Sequence, residues 1–202
     1  MINHVATLPK DEVIRVDVLK AARDLFQRFG LCKTTMEDIA KAAGKGKSTL
    51  YYYYTSKDEI FNAVIEDEMH EVFSTVRDAV ENAATAEDKM KAFTTTKIKA
   101  LAEKVNLYSI VRGETADNSQ LIRKLRKKFD NREIGLIQSI LTFGMTTNEF
   151  RPIDPIDLEN MAYIIVSAIR GIEMNLIEDN TIKKIGDRLE SVLGLMCNGI
   201  KR

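Results

Sequence analysis

The chain has 202 residues, 45% of them hydrophobic and 30% charged, the balance of a globular protein and not of a disordered tail. Its 30 Lys and Arg offset its 30 Asp and Glu, which excludes a uniformly basic nucleic-acid coat and a uniformly acidic tail. No apolar run reaches the roughly 18 residues needed to cross a bilayer, and no basic-then-apolar leader opens the chain. Cys32 and Cys197 lack CxxC spacing and read as reduced thiols, so a cytoplasmic protein is expected.

Ile14, Val18, Ala22, Leu25, Phe26 and Phe29 recur at spacings of three and four, which predicts a helix over 11–29. Gly30 is expected to end it in the left-handed conformation. Thr34-Thr35-Met36-Glu37-Asp38 sets a threonine three residues ahead of a carboxylate, a helix-start signature. That helix is short, because Gly44 and Gly46 stop it, and a second short helix is predicted over 47–53. Ser56 and Glu59 form another capping box, Ser56 reaching forward and Glu59 back. It opens a long amphipathic helix marked by Ile60, Phe61, Val64, Ile65, Met69, Val72, Phe73, Val76 and Val80. Met90 to Val105 outline the next helix, Tyr108 to Glu114 a shorter one, and Leu121 to Leu141 another. Asn148 to Pro152 read as a loop, Pro155 suits a helix's first turn, and 156–177 and 182–197 complete the set. No alternating strand pattern appears. The expected fold is all-α, about nine helices, with an N-terminal three-helix helix-turn-helix domain and a larger C-terminal helical domain.

Residues 46–49, Gly46-Lys47-Ser48-Thr49, look like the end of a nucleotide-binding loop. Such a loop needs a glycine at position 41 and a strand before it. Position 41 is Lys41, and 34–43 reads as a capped helix. A helix-turn-helix asks instead for two short helices about a tight turn. Leu50 and Tyr54 share one helical face and can meet Ile39 and Ala40 inside. Lys47, Ser48, Thr49, Tyr51, Tyr52 and Tyr53 are left for the other faces, with donors suited to phosphates and base edges. Four consecutive tyrosines cover every side of a helix, so packing claims Tyr54 and part of Tyr53 only. Residues 1–57 hold ten basic and six acidic side chains, a basic head on an acidic remainder, which suits a polyanionic partner.

Thr34 to Ile60, "TTMEDIAKAAGKGKSTLYYYYTSKDEI", with "AARDLFQRFG" before it, closely resembles the DNA-binding signature of TetR-family transcriptional repressors, TetR/AcrR type. The specific likeness covers about residues 10–65; beyond it only the helix count and Gly144 to Arg151 resemble the family. The resemblance implies a homodimer on a duplex DNA operator, a small-molecule inducer and no cofactor. It implies that Thr35 caps the second helix, with Met36 and Glu37 close to DNA at its start. Lys47, Ser48, Thr49 and Tyr52 would face the major groove, Thr49, Tyr51 and Tyr53 would grip phosphates, and Lys57 would add a backbone contact. There are three departures. Lys45 stands where the family has an apolar residue in the turn, and its ammonium is expected to stay in water over a packed stem. Gly46 replaces a serine-like N-cap at little cost. Tyr54 replaces a frequent Phe, so its hydroxyl needs a partner or solvent.

The same resemblance implies residues 1–56 as the helix-turn-helix domain and 57–202 as the ligand-binding and dimerisation domain. Residues 156–177 are apolar nearly all round, which predicts burial on several sides. Ile164, Ala168, Gly171 and Ile172, with Leu189, Val192, Leu193 and Met196, are the expected dimer interface. Phe93, Tyr108, Arg112, Phe129 and Tyr163 are candidate lining for a ligand pocket. The basic run Arg123 to Lys128 reads as a solvated face. His4 and His70 are too isolated for a metal site, and no Ser/His/Asp grouping supports catalysis, so no enzyme is expected. The expected function is a ligand-responsive repressor on palindromic DNA. Control by a protein partner, or a helical enzyme or nucleotide-dependent switch, are the alternatives.

Overall fold

A computed structural model describes residues 9–103, 119–179, 194 and 197–201. Seven helices are named among them: α1 (Lys10–Lys33), α2 (Met36–Ala42), α3 (Lys47–Tyr53), α4 (Lys57–Asn82), α5 (Ala86–Glu103), α6 (Ser119–Thr146) and α7 (Pro155–Asp179). Residues 197–200 add a helical turn, and the β pairing among the described residues is one isolated antiparallel bridge, Phe150 with Lys201. The fold is all-α. The helix expected over Tyr108 to Glu114 lies outside the described residues, and so does the one expected over 182–197 except for positions 194 and 197, which are helical. The chain divides into two compact units, the first running to Glu68 and the second taking over at Met69, so α4 contributes to both.

In the first unit Val18, Ala22 and Phe26 of α1 are buried, as their spacing requires. Phe26 meets Phe61 of α4 edge-on at 5.4 Å, a favoured aromatic geometry. Phe29, next in the periodicity, is instead 56% exposed and opens a surface groove with Leu25, Lys33, Thr34, Lys41 and Ala42. The break comes at Gly30, whose φ of 80° and ψ of 167° lie in an extended region essentially reserved for glycine, not in the left-handed helical well. One further turn follows, and the Thr34 hydroxyl donates to the Gly30 carbonyl at 2.8 Å.

Thr35, not Thr34, caps α2. Its hydroxyl oxygen accepts from the Asp38 N–H at 3.1 Å, and the Asp38 carboxylate accepts from the Thr35 N–H at 3.0 Å, so two orphan donors are satisfied together. At the other end Gly44, φ +65°, donates to the Lys41 carbonyl at 3.1 Å, and Lys45 donates to that of Ala40 at 2.9 Å. This pair of bonds is a Schellman motif, which turns the chain sharply enough to start α3 two residues later. At α4 the Ser56 hydroxyl accepts from the Glu59 N–H at 3.1 Å as expected. The return bond differs: the Glu59 carboxylate reaches past Ser56 to the Thr55 N–H at 2.7 Å and its hydroxyl at 2.9 Å.

The second unit has its own core. Val72, Val76 and Val80 of α4, Met90 and Phe93 of α5, Ile137, Ile140 and Leu141 of α6, and Ala162, Ile165, Val166 and Ile169 of α7 meet there with Phe150, Cys197 and Ile200. One turn of α6 is tied to three other helices. Asp130 pairs with Arg170 of α7, Arg132 approaches His70 Nδ1 of α4 at 3.1 Å, and Glu133 pairs with Lys97 of α5 at 2.6 Å. The end of α6 repeats the motif that ends α2, with Asn148 (φ 59°) in the glycine's place: Asn148 donates to Met145 and Glu149 to Gly144. The Phe150 ring then lies on Gly144, so closely that a Cβ there would sit 2.2 Å from Cδ2.

Two outcomes follow from these ends. Gly144→Ala should lower stability by about 1–3 kcal/mol through overpacking, whereas Gly135→Ala on the same helix, where a Cβ meets nothing within 4 Å, should be neutral or stabilising. Midpoints of chemical denaturation compare the two. Thr35→Ala should cost about 1 kcal/mol at neutral pH as a lost N-cap. Its pH dependence has a definite sign. The Thr35 hydroxyl first, and then its backbone N–H, hold the Asp38 carboxyl below the usual carboxylate range. A lowered folded pKa adds stability above the unfolded value and loses it as pH falls through the folded one. The gap between wild type and Thr35→Ala should therefore narrow in acid, read by thermal melts across pH.

Candidate nucleic-acid interface

The hairpin α2–turn–α3 is built on a buried face. Leu50 and Ile39 are fully buried, and Ala40 and Tyr54 nearly so, as the sequence spacing predicts. Met36 joins them at 8% exposure, so it is part of the core and does not stand outward beside Glu37. Its spacing of three and four from Ile39 and Ala40 puts all three on one side of α2. A helix, α2, precedes Gly46 where a nucleotide-binding loop requires a strand.

The opposite face of α3 is polar and open. Lys47 and Ser48 are exposed, Tyr51 is 43% exposed and Tyr52 79%. Thr49 and Tyr53 are half-buried on the flanks. The Lys47 ammonium pairs with the Glu37 carboxylate across the turn and lies 5.9 Å from the Tyr51 ring centre. That hydrogen-bonded pair holds the Glu37 carboxyl below its ordinary range and pushes the Lys47 ammonium above its own. Tyr52 and Tyr53 meet edge-on at 5.1 Å.

Two residues of α1 that the sequence reading passed over brace this face. The Tyr53 hydroxyl donates to Asp11 at 2.5 Å, which raises the phenol's pKa. The Arg15 guanidinium lies 5.4 Å from the ring centres of both Tyr53 and Tyr54. Burial pushes the Tyr54 phenol up, and the nearby Arg15 guanidinium opposes the shift. Asp11 and Arg15 stand four apart on one side of α1, but only the three-dimensional pairing shows what they meet.

Two lysines differ from expectation. The Lys57 ammonium donates to the carbonyls of Leu31 at 2.7 Å and Thr34 at 2.9 Å. It closes the last turn of α1 and is held within the scaffold instead of being offered outward, because those carbonyls have no further turn of helix to bond them. Lys45 does not leave its ammonium in water. It pairs with Asp17 of α1 at 2.9 Å, taking the place of the apolar contact that commonly accompanies this turn.

In the second unit Phe93 and Phe129 are buried, the latter with its ring edge-on to His70 at 5.0 Å. Tyr163 is 58% exposed beside Ile164 at 61% and is turned away from the unit's interior, on the outer side of α7. Ala168 and Gly171 are exposed on that helix and Ile172 is half-buried. Tyr108, Arg112, Leu189, Val192, Leu193 and Met196 lie outside the described residues. Among the described residues no group of three or more His, Cys, Asp or Glu could hold a metal ion, and no helix is long and apolar enough to cross a membrane.

Residues 18–64 match the sequence profile of the bacterial regulatory proteins of the tetR family. The chain is 28% identical over 194 residues to the uncharacterized HTH-type transcriptional regulator YvaF of Bacillus subtilis (strain 168), covering 88% of this chain and 94% of that one. Its fold is similar to that of a transcriptional regulator from Cytophaga hutchinsonii ATCC 33406, at a TM-score of 0.78 and 24% identity over 92% of this chain and 97% of that one. It is also similar to the transcriptional regulator FadR from Bacillus subtilis in complex with stearoyl-CoA, at 0.70 and 22% over 92% and 98%. With the hairpin inside the matched segment, residues 18–64 form a tetR-family domain, and the fold is similar to that of these transcriptional regulators along nearly the whole chain.

Proposed function

We propose that the protein is a ligand-responsive repressor that binds palindromic duplex DNA as a homodimer and leaves it when a small-molecule inducer is bound. Residues 1–56 serve as the DNA-binding domain and 57–202 as the ligand-binding and dimerisation domain. One observation carries this reading. The outer row of α3 presents an ammonium, a hydroxyl and two phenols, while Leu50 and Tyr54 fix its inner side to α2 and the core. Such groups reach base edges and phosphates in a major groove wide enough for a helix. Thr35 and Glu37 stand at the front of α2, Thr49 and Tyr53 flank the row, and Ser48 and Tyr52 stand at its centre.

A single head covers few base pairs, so two heads are needed, about 34–36 Å apart on successive grooves. The outer side of α7 supports a dimer: Ile156, Tyr163 and Ile164 are 72%, 58% and 61% exposed in a single chain. Large apolar side chains left open together mark a surface that a partner covers. The likeness to FadR in complex with stearoyl-CoA makes long-chain acyl-CoA the first inducer class to titrate. Whatever the inducer, only its preference for the conformation that does not bind DNA can act.

Labelled duplexes selected from a randomised pool test the reading. Binding should weaken steeply with salt, log K falling by about 0.9 per phosphate neutralised for each unit of log salt. Tyr52→Ala should change which base is preferred at one position of each half-site by a factor of about 10, the scale of one good base contact. A variant that selects the same duplexes as the wild type removes Tyr52 from the groove. Ile164→Glu should halve the particle mass in sedimentation and abolish tight operator binding. An unchanged mass would place the dimer interface elsewhere.

A further inference from the structure

We infer that Glu37 is a specificity-determining residue, which keeps the Lys47 ammonium from duplexes of the wrong sequence. This rests on the DNA-binding reading above and deepens it. Glu37 is not needed to start α2, because Thr35 and Asp38 already satisfy that end reciprocally. It does not pack, being 55% exposed. Yet it projects beside the row of α3 that would meet a polyanion, where a carboxylate repels phosphate whatever the sequence.

Its partner is the cation at the start of that row. Lys47 is 61% exposed and lies between the Glu37 carboxylate and the Tyr51 ring. The pair crosses a turn whose backbone is fixed by the Gly44 and Lys45 hydrogen bonds, so the two side chains start from fixed places on the hairpin while their pairing stays exchangeable. To reach a phosphate, Lys47 must leave Glu37 and leave that carboxylate facing the duplex. On a correct site the loss is offset, since a carboxylate can accept from a cytosine amino group and a lysine can donate to guanine. On other sequences it is not. Discrimination arises here as a penalty on the wrong partner rather than as added attraction to the right one.

The stability of the fold should scarcely depend on the pair, because exposed ion pairs contribute little. This lets a DNA readout separate the roles. The probes are the duplex that the wild type selects from a randomised pool and a mixed-sequence duplex of equal length, titrated by fluorescence anisotropy at several salt concentrations. Glu37→Gln should bind the mixed duplex roughly 3–10-fold tighter, gain little on the selected one, and steepen the salt dependence by about one phosphate per head. In a Lys47→Gln background the same change should leave the salt dependence where it was. Equal tightening on both duplexes would reduce Glu37 to general repulsion and overturn the inference. So would an unchanged ratio, or weaker binding everywhere with a lower melting temperature. If the wild type prefers no duplex at all, the DNA-binding reading itself fails, a different result from any of these.

Discussion

The burial of Leu50 on α3 together with Ile39 and Ala40 on the adjoining α2 is the constraint on which the head depends. α2 and α3 have seven residues each, about half the length at which an isolated helix becomes marginally stable in water. Neither forms for its own sake. The capping box at Thr35 and the Schellman turn at Gly44 supply the ends, and burial of Leu50 and Ile39 supplies the middle. Because one side of α3 is consumed in this way, its polar side is held in a fixed direction, as recognition by a rigid helix demands.

A second consequence concerns the tyrosines. A run of four phenols, three on a seven-residue helix and the fourth at its C-cap, would invite collapse if all were equivalent. They are not: Tyr54 is buried against Arg15, Tyr53 is tied to Asp11, and Tyr51 and Tyr52 are left outside. The first helix therefore selects which phenols remain available, by offering a guanidinium and a carboxylate to the inner two. Aromatic and charged groups meeting across 42 residues of sequence do work that neither periodicity nor propensity describes.

That difference marks what was legible in the sequence. Helix α3 was legible, because Gly44 and Gly46 precede its start, the Ser56 cap of the next helix limits its end, and the Leu50–Tyr54 spacing oriented it. The burial of Met36 was also encoded, in its spacing from Ile39 and Ala40, though the resemblance to known regulators drew it toward the DNA side. Thr34 and Thr35 both precede a carboxylate by three residues, so local pattern alone could not choose the cap. The partners of Lys45 and Lys57 are carbonyls and a carboxylate brought by α1 from far along the chain. On α7, apolar residues run nearly all round the helix, and such a pattern cannot say which side faces its own core. It left Tyr163 looking like an interior residue when it belongs with Ile164 outside.

Charge is used in two ways within the chain, and exposure separates them. Lys97 and Glu133 are 7% and 12% exposed, joined at 2.6 Å in the second unit. Removing either partner there would break a charge pair largely shielded from water, so that pair helps fix how α5 meets α6. Lys47 and Glu37 are 61% and 55% exposed. In water such a pair is held loosely, and a third charge can compete for either member at small cost. The same chemistry thus makes a structural joint where solvent is largely excluded and an exchangeable one where it is not. Only the exchangeable kind stands on the face that a polyanion would approach, which is where an ion pair can be broken for one sequence and kept for another.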